Sequence, residues 1–212
     1  EKLNNWADFI IGSCDYFKRF YKTDISNISV NIESNLPIGI GLSSSAATCV
    51  SMIRALSSLF EINLDQATMV KIAHCIENDF VGVGGGVMDQ FVSVYGETDK
   101  ALFLNTKNND YKLIPLFDDY NFQIIDSGIK RILSDSAFND RKKMCNQSAG
   151  KMGLKYLCDK DKIGEKDKDL LSNSEFKISR HVIEENIRSK KGSGALLNND
   201  PKLFGELMTQ SH

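Results

Sequence analysis

The sequence predicts a mixed α+β fold, and three observations carry that prediction. An alternating apolar stretch, a glycine-rich segment and a helix-like stretch follow one another between residues 28 and 60. Helical periods lie on both sides of this unit, and short alternating stretches follow over 100–126. Apolar residues make up 42% of the 212-residue chain and charged residues 25%, an ordinary globular composition. One sizeable domain, or parts of two that share an interface, is therefore expected.

The first elements follow from the spacing of apolar residues. Helix-like spacing predicts a helix over 6–20. Apolar and polar residues then alternate over 28–32, which predicts a strand with one buried face. After the glycine-rich segment the helical pattern returns over 44–60, and the serines at its start are expected to cap the helix. These elements predict a strand, a loop and a helix in succession.

Two further stretches complete the first half of the chain. A helix is predicted over 64–79, because its apolar residues share one face and Asp65 lies in its first turn. Residues 81–87 are glycine-dense and predict a loop. A short apolar stretch follows over 88–95.

The second half also mixes helices with strands. Alternation predicts three strands, over 100–104, 111–116 and 122–126. A helix is predicted over 136–152, and the charge-rich run 160–168 is typical of a solvated linker. Residues 177–212 predict two amphipathic helices joined near 190–194.

Charge and cysteine usage narrow the classes of partner. The formal net charge is -2, which gives no overall attraction to nucleic acid or anionic lipid, so neither is expected as a partner. The five cysteines lie far apart and form no C-x2-C zinc pattern, which favours a reducing compartment. No apolar run approaches the roughly 20 residues that cross a bilayer. A cytoplasmic protein is expected, and its oligomeric state cannot be read from the sequence.

The glycine-rich segment 36–47 (LPIGIGLSSSAA) predicts an anion site. Gly39 and Gly41 permit positive φ and close approach of the backbone to a ligand. Three serines follow where the next helix begins, so free amides and hydroxyls converge there. The alternative is a tight turn with a serine cap. The segment matches neither the Walker pattern nor the dinucleotide-binding fingerprint.

Residues 37–47 resemble the P-x-G-x-G-L-S-S-S-A-A motif of the GHMP kinases. The resemblance implies the α+β fold of that family: an N-terminal domain like ribosomal protein S5 domain 2, with a left-handed β-α-β unit, and the start of a C-terminal α+β domain. It implies a division into 1–118 and 119–212. It also implies that the loop binds the phosphates of ATP, through Pro37, Gly39, Gly41, Leu42, Ser43, Ser44, Ser45 and Ala46. Ser45 is further implied as a ligand of Mg2+.

Two carboxylates stand out in residues 77–96 (ENDFVGVGGGVMDQFVSVYG). A carboxylate beside a glycine-rich loop can orient or deprotonate a hydroxyl, and another can bind the Mg2+ that bridges phosphates. A solvated surface group or a helix cap is the alternative for each. The run resembles the galactokinase branch of the family, E-x-x-F-x-G-V-x-x-G-I-M-D-Q. This implies that Asp89 is catalytic, Glu77 binds the metal and Gly86 contacts the sugar.

Further stretches resemble the same branch, so the likeness covers nearly the whole chain. Residues 6–12 (WADFIIG) are similar to its W-x-N-Y-V-x-G helix, which implies an adenine pocket at Trp6 and Phe9; a core aromatic is the alternative. Other similar stretches are 126–145, 180–188 and 204–212.

Several differences from the galactokinase branch bear on which sugar is bound and on whether the chain is active by itself. Phe138 stands where most galactokinases carry a Tyr whose hydroxyl bonds the sugar, and Gly85 stands where many carry Cys. The family's R-V-N-L-I-G-E-H-T-D-Y and G-A-G-F-G-G-C motifs have no match. An internal fragment that is nearly inactive by itself is therefore expected.

The sequence predicts ATP- and Mg2+-dependent phosphorylation of a monosaccharide. D-galactose at its C1 hydroxyl, giving α-D-galactose 1-phosphate, is the first expectation. The alternatives are a kinase for N-acetylgalactosamine or another sugar, and a non-catalytic galactose sensor on the same fold. The intact serine-alanine run and Asp89 favour the enzyme.

Overall fold

In the computed structural model the described residues are 2–37, 39–128 and 136–212, without the side chains of 136–138. The chain divides into two compact units. The first holds the chain up to Leu113 together with a segment that begins at Gln123, and the second holds Ile114–Phe122 and the chain from Asp135 onward.

Helices dominate the first unit. They are α1 (Asp8–Phe20), α2 (Ser44–Leu59), α3 (Gln66–Cys75), a π-helix (Ile76–Val81) and α4 (Met88–Tyr95). A two-stranded sheet follows, formed by β1 (Lys100–Asn105) and β2 (Asp110–Pro115). The apolar stretch 88–95 is thus a helix, and the predicted strands 100–104 and 111–116 are confirmed within one residue at each end.

The core of the first unit lies between these helices. Phe17, Ile53, Leu56 and Ile72 are fully or almost fully buried and come from α1, α2 and α3. Burying one such side chain stabilises the fold by about 1.5–3 kcal/mol. The apolar periodicity that predicts these helices is therefore also the pattern that packs them together.

A glycine sets the approach of α1 to the π-helix. A Cβ on Gly12 would lie 2.9 Å from Ile76 Cγ2 and 2.9 Å from Phe80 Cδ1. Any larger residue at this position would require these side chains, or the elements that carry them, to shift. Gly12 therefore helps to fix the π-helix, on which Glu77 lies.

The second unit contains the remaining helices. They are α5 (Ser136–Lys151), α6 (Glu165–Lys168), α7 (Asn173–Leu197) and α8 (Pro201–Ser211), with a short 3-10 turn at Leu157–Asp159. Ala149, Leu157 and Ile183 form the centre of its core. Phe204 meets the rings of Phe117 and Phe122 edge-on, with centroids 5.8 Å away in both cases.

Two predicted strands are not formed. Residues 28–32 and 122–126 belong to no ladder, and Val30 and Ile125 are 43% and 84% exposed. A strand needs a neighbouring strand to satisfy its amides and carbonyls, and within the described residues only β1 and β2 pair. The first strand of the predicted β-α-β unit is therefore not formed within the described residues.

The predicted break near 190–194 is wrong. Helix α7 continues to Leu197, and the turn to α8 follows it. Gly192 is buried against Phe204, whose Cε2 would lie 3.5 Å from an added Cβ. An added Cβ would make only ordinary van der Waals contact there, so this glycine lies within an unbroken helix and does not end it.

The stretch 160–168 is not simply a solvated linker. Asp167 is buried, accepts a bond from the Gly164 amide and pairs with the ammonium of Lys160. These contacts fold the charged run onto itself, and Ile163 packs against the core of the second unit. Within the described ranges, no helix combines the length and the apolar character that crossing a bilayer requires.

Candidate active site

The glycine-rich loop turns through left-handed backbone conformations. Gly39 has φ +82 and Gly41 has φ +84, and no heavy atom lies within 4 Å of a Cβ built on either. Conformation, not crowding, is therefore why glycine suits these positions. Ile38, between Pro37 and Gly39, lies outside the described residues.

The start of α2 carries no side-chain cap. Ser43 precedes the helix with φ 55 and ψ 30, and its hydroxyl does not bond to the first turn. The prediction that a serine caps this helix is wrong, because a capping side chain needs an N-cap residue in the extended region. Helical hydrogen bonding begins with the Ala47 amide to the Ser43 carbonyl. The first turn thus presents its amides beside Gly41, as an anion site requires.

A cavity of about 460 Å³ adjoins the same loop. Gly41, Leu42 and Ser43 line one side, and residues of α2 and α4, including Arg54, line the other. The predicted residues Ser45, Glu77 and Asp89 do not line it. The lining therefore includes part of the predicted phosphate loop but not the two predicted carboxylates.

Glu77 is the buried carboxylate of the site. It lies in the π-helix, is only 5% exposed, and its carbonyl accepts from the amides of Gly82 at 2.9 Å and Val83 at 3.0 Å. Its side chain bonds to the Ser45 hydroxyl and accepts from Gln90 Nε2. The structure thus brings Ser45 and Glu77, the two predicted metal ligands, into contact.

The surroundings of Glu77 oppose its negative charge. Burial raises the pKa of this carboxyl, the charge of Asp89 raises it further, and the Ser45 hydrogen bond acts in the opposite direction. No ion pair to Glu77 is found among the described residues. A buried carboxylate without a cation is costly, so this site is suited to receive a positive charge.

The oxygen atoms present fit Mg2+. Ser45, Glu77 and Asp89 offer hard oxygen donors, which this ion prefers. In the described part of the chain, no group of three or more His, Cys, Asp or Glu is arranged to hold a metal ion. Mg2+ commonly binds through one or two carboxylates plus phosphate oxygens, without a complete protein cage. The donor set therefore matches a cation that arrives with a nucleotide.

Asp89 and Gly86 lie close together in sequence at the start of α4. Asp89 is half-buried in the first turn of that helix. Gly86 is exposed and has no heavy atom within 4 Å of an added Cβ, so its backbone is open to a ligand. The side chain of Phe138 lies outside the described residues. The roles given to these three residues stay predictions.

The two aromatic residues of the predicted adenine pocket differ in position. Trp6 is 67% exposed, whereas Phe9 is 5% exposed and belongs to the core. Phe9 thus matches the core-aromatic alternative by its burial. Their contact with adenine stays a prediction.

The comparisons with known proteins extend this picture. Residues 8–97 match the family model described as the GHMP kinases N terminal domain. These residues form a GHMP kinase N-terminal domain. The match begins at Asp8, the first residue of α1, and includes the loop, α2, α3, the π-helix and α4.

Galactokinases are similar to this chain along its whole length. The galactokinase of Thermotoga petrophila is 40% identical over 214 residues, which cover 100% of this chain and 60% of the relative. The galactokinase of Thermococcus kodakarensis is 33% identical over 217 residues, 100% of this chain and 59% of the relative. The chain thus spans about 60% of the length of the curated relatives it matches.

The fold of this chain also has a solved counterpart. The structure of Lactococcus lactis galactokinase complexed with galactose superposes with a TM-score of 0.82 at 24% identity, over 100% of this chain and 56% of the other. The predicted GHMP kinase fold is therefore confirmed. The predicted resemblance to the galactokinases is confirmed as well.

Gln90 contacts the predicted metal ligand Glu77, a contact that the sequence did not predict. It is fully buried and donates to the carboxylate of Glu77, 13 residues earlier in the chain. A signal for it was available: Gln90 is a polar residue one turn before buried Val94, beside buried Phe91. A polar residue on an apolar face points to a buried partner.

Proposed function

We propose that the protein is a sugar kinase that transfers the γ-phosphoryl group of ATP to the C1 hydroxyl of D-galactose. The products are ADP and α-D-galactose 1-phosphate. The observation that carries this proposal is the buried carboxylate of Glu77, which Gln90 holds in place and on which both Ser45 and the charge of Asp89 act. The galactokinase relatives support the choice of substrate class.

The loop and the start of α2 bind the phosphates of ATP in this proposal. Positive φ at Gly39 and Gly41 turns the backbone, and the uncapped first turn of α2 supplies amides. The phosphate-binding set is Pro37, Gly39, Gly41, Leu42, Ser43, Ser44, Ser45 and Ala46. Phosphoryl transfer depends mainly on positioning and charge stabilisation, which this loop would provide.

Ser45 and Glu77 would hold Mg2+ on the phosphates. When bound, the ion neutralises charge that develops on the phosphate oxygens. Glu77 contributes a buried carboxylate that has no cation partner among the described residues. The hydroxyl of Ser45 bonds to the same carboxylate.

Asp89 would position or deprotonate the C1 hydroxyl of the sugar. A carboxylate within hydrogen-bond reach of a hydroxyl can orient it toward the γ-phosphate and accept its proton. The open backbone at Gly86 would allow the sugar to approach. Trp6 and Phe9 are kept as the proposed adenine contacts, and Phe138 as a sugar contact.

The identity of the sugar rests on fewer residues. Phe138 lacks the hydroxyl of the Tyr usual in galactokinases, and one hydrogen bond contributes about 0.5–1.5 kcal/mol. A kinase for N-acetylgalactosamine is therefore the second candidate. A non-catalytic galactose sensor is the third, and intact Ser43, Ser44 and Ser45 argue against it.

Activity is assigned to the full-length protein, meaning a protein of the relatives' length that contains this chain. We expect the 212-residue chain alone to be nearly inactive. We also propose the cytoplasm as its location, on the basis of cysteine usage; all five cysteines are free thiols. Residues 1–118 and 119–212 are proposed as parts of the N- and C-terminal domains.

A coupled ADP-release assay tests the proposal. The full-length protein is assayed with MgATP and either D-galactose or N-acetylgalactosamine, and the phosphorylated carbon is identified by NMR. We expect turnover with galactose and phosphate on C1. Preference for N-acetylgalactosamine would support the second candidate, and no sugar-dependent ADP release would contradict the enzyme.

The same assay on the 212-residue chain tests the expected inactivity. Robust turnover by this chain would contradict it.

A further inference from the structure

We propose that Gln90 is a positioning residue for the metal site: its amide fixes one oxygen of Glu77, so that the other oxygen faces the nucleotide-bound cation together with Ser45. The inference rests on the proposed function, because it assigns Gln90 a part in the same site. The motif E-x-x-F-x-G-V-x-x-G-I-M-D-Q includes this glutamine but implies no role for it, and the comparisons give it none.

Two buried side chains, those of Gln90 and Glu77, are in contact. Gln90 is 0% exposed and Glu77 is 5% exposed. Gln90 Nε2 donates to Glu77 Oε2, which leaves Oε1 of the carboxylate for other partners. One oxygen of Glu77 is therefore committed to α4.

The backbone that carries Glu77 is held in place on both sides of this residue. Its carbonyl accepts from two amides at the end of the π-helix, those of Gly82 and Val83. Ile76, the residue before it, packs against α1 at Gly12. Single π-turns often occur at functional sites, where the widened turn redirects a side chain. Because the backbone is held on both sides, the remaining freedom of Glu77 lies in its side-chain torsions, which Gln90 restricts.

The oxygen of the Gln90 amide distinguishes this role from simple packing. Gln90 Oε1 is buried and has no hydrogen-bond partner among the described residues. A buried polar atom without a partner destabilises the fold. An apolar side chain of similar shape would avoid that cost, so only the bond from Nε2 to Glu77 explains an amide here.

The partner of Glu77 is a neutral amide and not a cation, which suits a metal site. A lysine at this position would neutralise Glu77 and compete with a metal ion. A neutral amide orients the carboxylate and leaves its charge available. Asp89, whose charge also acts on Glu77, adds to the negative potential that a cation would relieve.

The test is cation affinity in the presence of a nucleotide. The full-length protein is loaded with a non-hydrolysable ATP analogue and titrated with Mn2+, and free Mn2+ is measured by electron paramagnetic resonance. Gln90→Met removes the donor and keeps the side-chain size. Gln66→Met is the matched control, because Gln66 is an exposed glutamine in the same unit whose amide donates to the Val94 carbonyl of α4 at 3.5 Å and not to Glu77.

We expect Gln90→Met to weaken Mn2+ binding about 10- to 100-fold, the usual loss when a residue that orients a metal ligand is changed. Binding of the nucleotide without divalent cation should stay unchanged, and Gln66→Met should match the wild type. Gln90→Leu also removes the donor and should weaken Mn2+ binding as well, which provides a second variant if Gln90→Met fails to fold.

Two results would overturn the inference in different ways. Wild-type Mn2+ affinity in folded Gln90→Met, or equal loss of nucleotide binding with and without the cation, would contradict the role of Gln90 alone. Failure of the wild-type protein to bind Mn2+ with the nucleotide would contradict the proposed function as well.

Discussion

Two buried glutamates, one in each unit, are held in opposite ways. Glu175 is 8% exposed, and the ammonium of Lys151 lies 2.6 and 2.8 Å from its two oxygens. The Ser172 amide donates to it at 2.8 Å. Glu77 is 5% exposed, and its partners are a hydroxyl and an amide side chain.

The two environments shift the pKa in opposite directions. The Lys151 hydrogen bond, with help from Ser172, lowers the pKa of Glu175 to about 2. Burial and the charge of Asp89 raise the pKa of Glu77. Glu175 completes a capping box at the start of α7 and stabilises the fold. Glu77 opposes folding when charged, and such a residue is typical of a functional site.

Replacement of each glutamate should give the largest contrast. Glu77→Gln keeps the shape and removes the buried charge, so we expect the Tm to stay level or rise. Affinity for a Mg2+–nucleotide analogue should fall on the order of 100-fold, as a ligand to the cation is lost. Glu175→Gln should lower the Tm and leave that affinity unchanged. Isothermal titration calorimetry and thermal unfolding of both variants measure this.

Equal effects of the two replacements on nucleotide affinity would remove the distinction between the glutamates. A lower Tm in Glu77→Gln, without loss of affinity, would assign Glu77 a structural role.

Loss of the cation beside Glu175 should give the next effect. Lys151→Met leaves a buried carboxylate without its ammonium, so the midpoint of urea unfolding should fall measurably. Lys143→Met on the same helix is the control, because Lys143 is exposed. An unchanged midpoint in Lys151→Met would show that the ion pair adds no stability.

The loop beside Glu77 should respond more mildly. Gly41→Ala places a Cβ at φ +84, which costs roughly 1–2 kcal/mol. Nucleotide affinity should fall several-fold if the bound loop keeps this conformation. Gly85→Ala is the matched control, since Gly85 has open space and no positive φ. Equal affinities in the two alanine variants, measured by calorimetry, would show that the loop tolerates another conformation.

The pH dependence of stability should show the smallest effect, with opposite signs. The contribution of Glu175 is complete above its ordinary pKa of 4.5 and is lost as the pH falls toward 2. Glu77 has a raised pKa, so its contribution is complete below 4.5 and is lost as the pH rises through its folded value. Urea unfolding of the wild type and of each Gln variant measures the differences. It is carried out at about pH 3, 5 and 7, on both sides of the ordinary glutamate pKa. Parallel profiles for the two variants would contradict the assignment.

The same comparison shows what the sequence can predict. The capping box at Ser172 and Glu175 is encoded by residues three apart, and helix α2 follows local apolar spacing. The strand predicted over 28–32 depends on a partner strand, which local alternation does not specify. Helices satisfy their hydrogen bonds within themselves, so they form where the pattern indicates.

The candidate site was predicted through its motifs and only partly through its geometry. The roles of Glu77 and Asp89 were implied by family resemblance, whereas the π-helix that carries Glu77 has no local signal in the sequence. Gln90 reaches Glu77 only after the chain returns through the loop that begins at Gly82. Such contacts depend on tertiary packing, which spacing along the chain does not reveal.

The most direct test of the central claim is sugar-dependent ADP release by the full-length protein with MgATP and D-galactose. Asp89→Asn is compared with the wild type and with Asp119→Asn, a control at an exposed position. The account predicts that Asp89→Asn lowers kcat by about 10²–10⁴-fold, and that Asp119→Asn leaves kcat unchanged. Wild-type turnover in Asp89→Asn would contradict it.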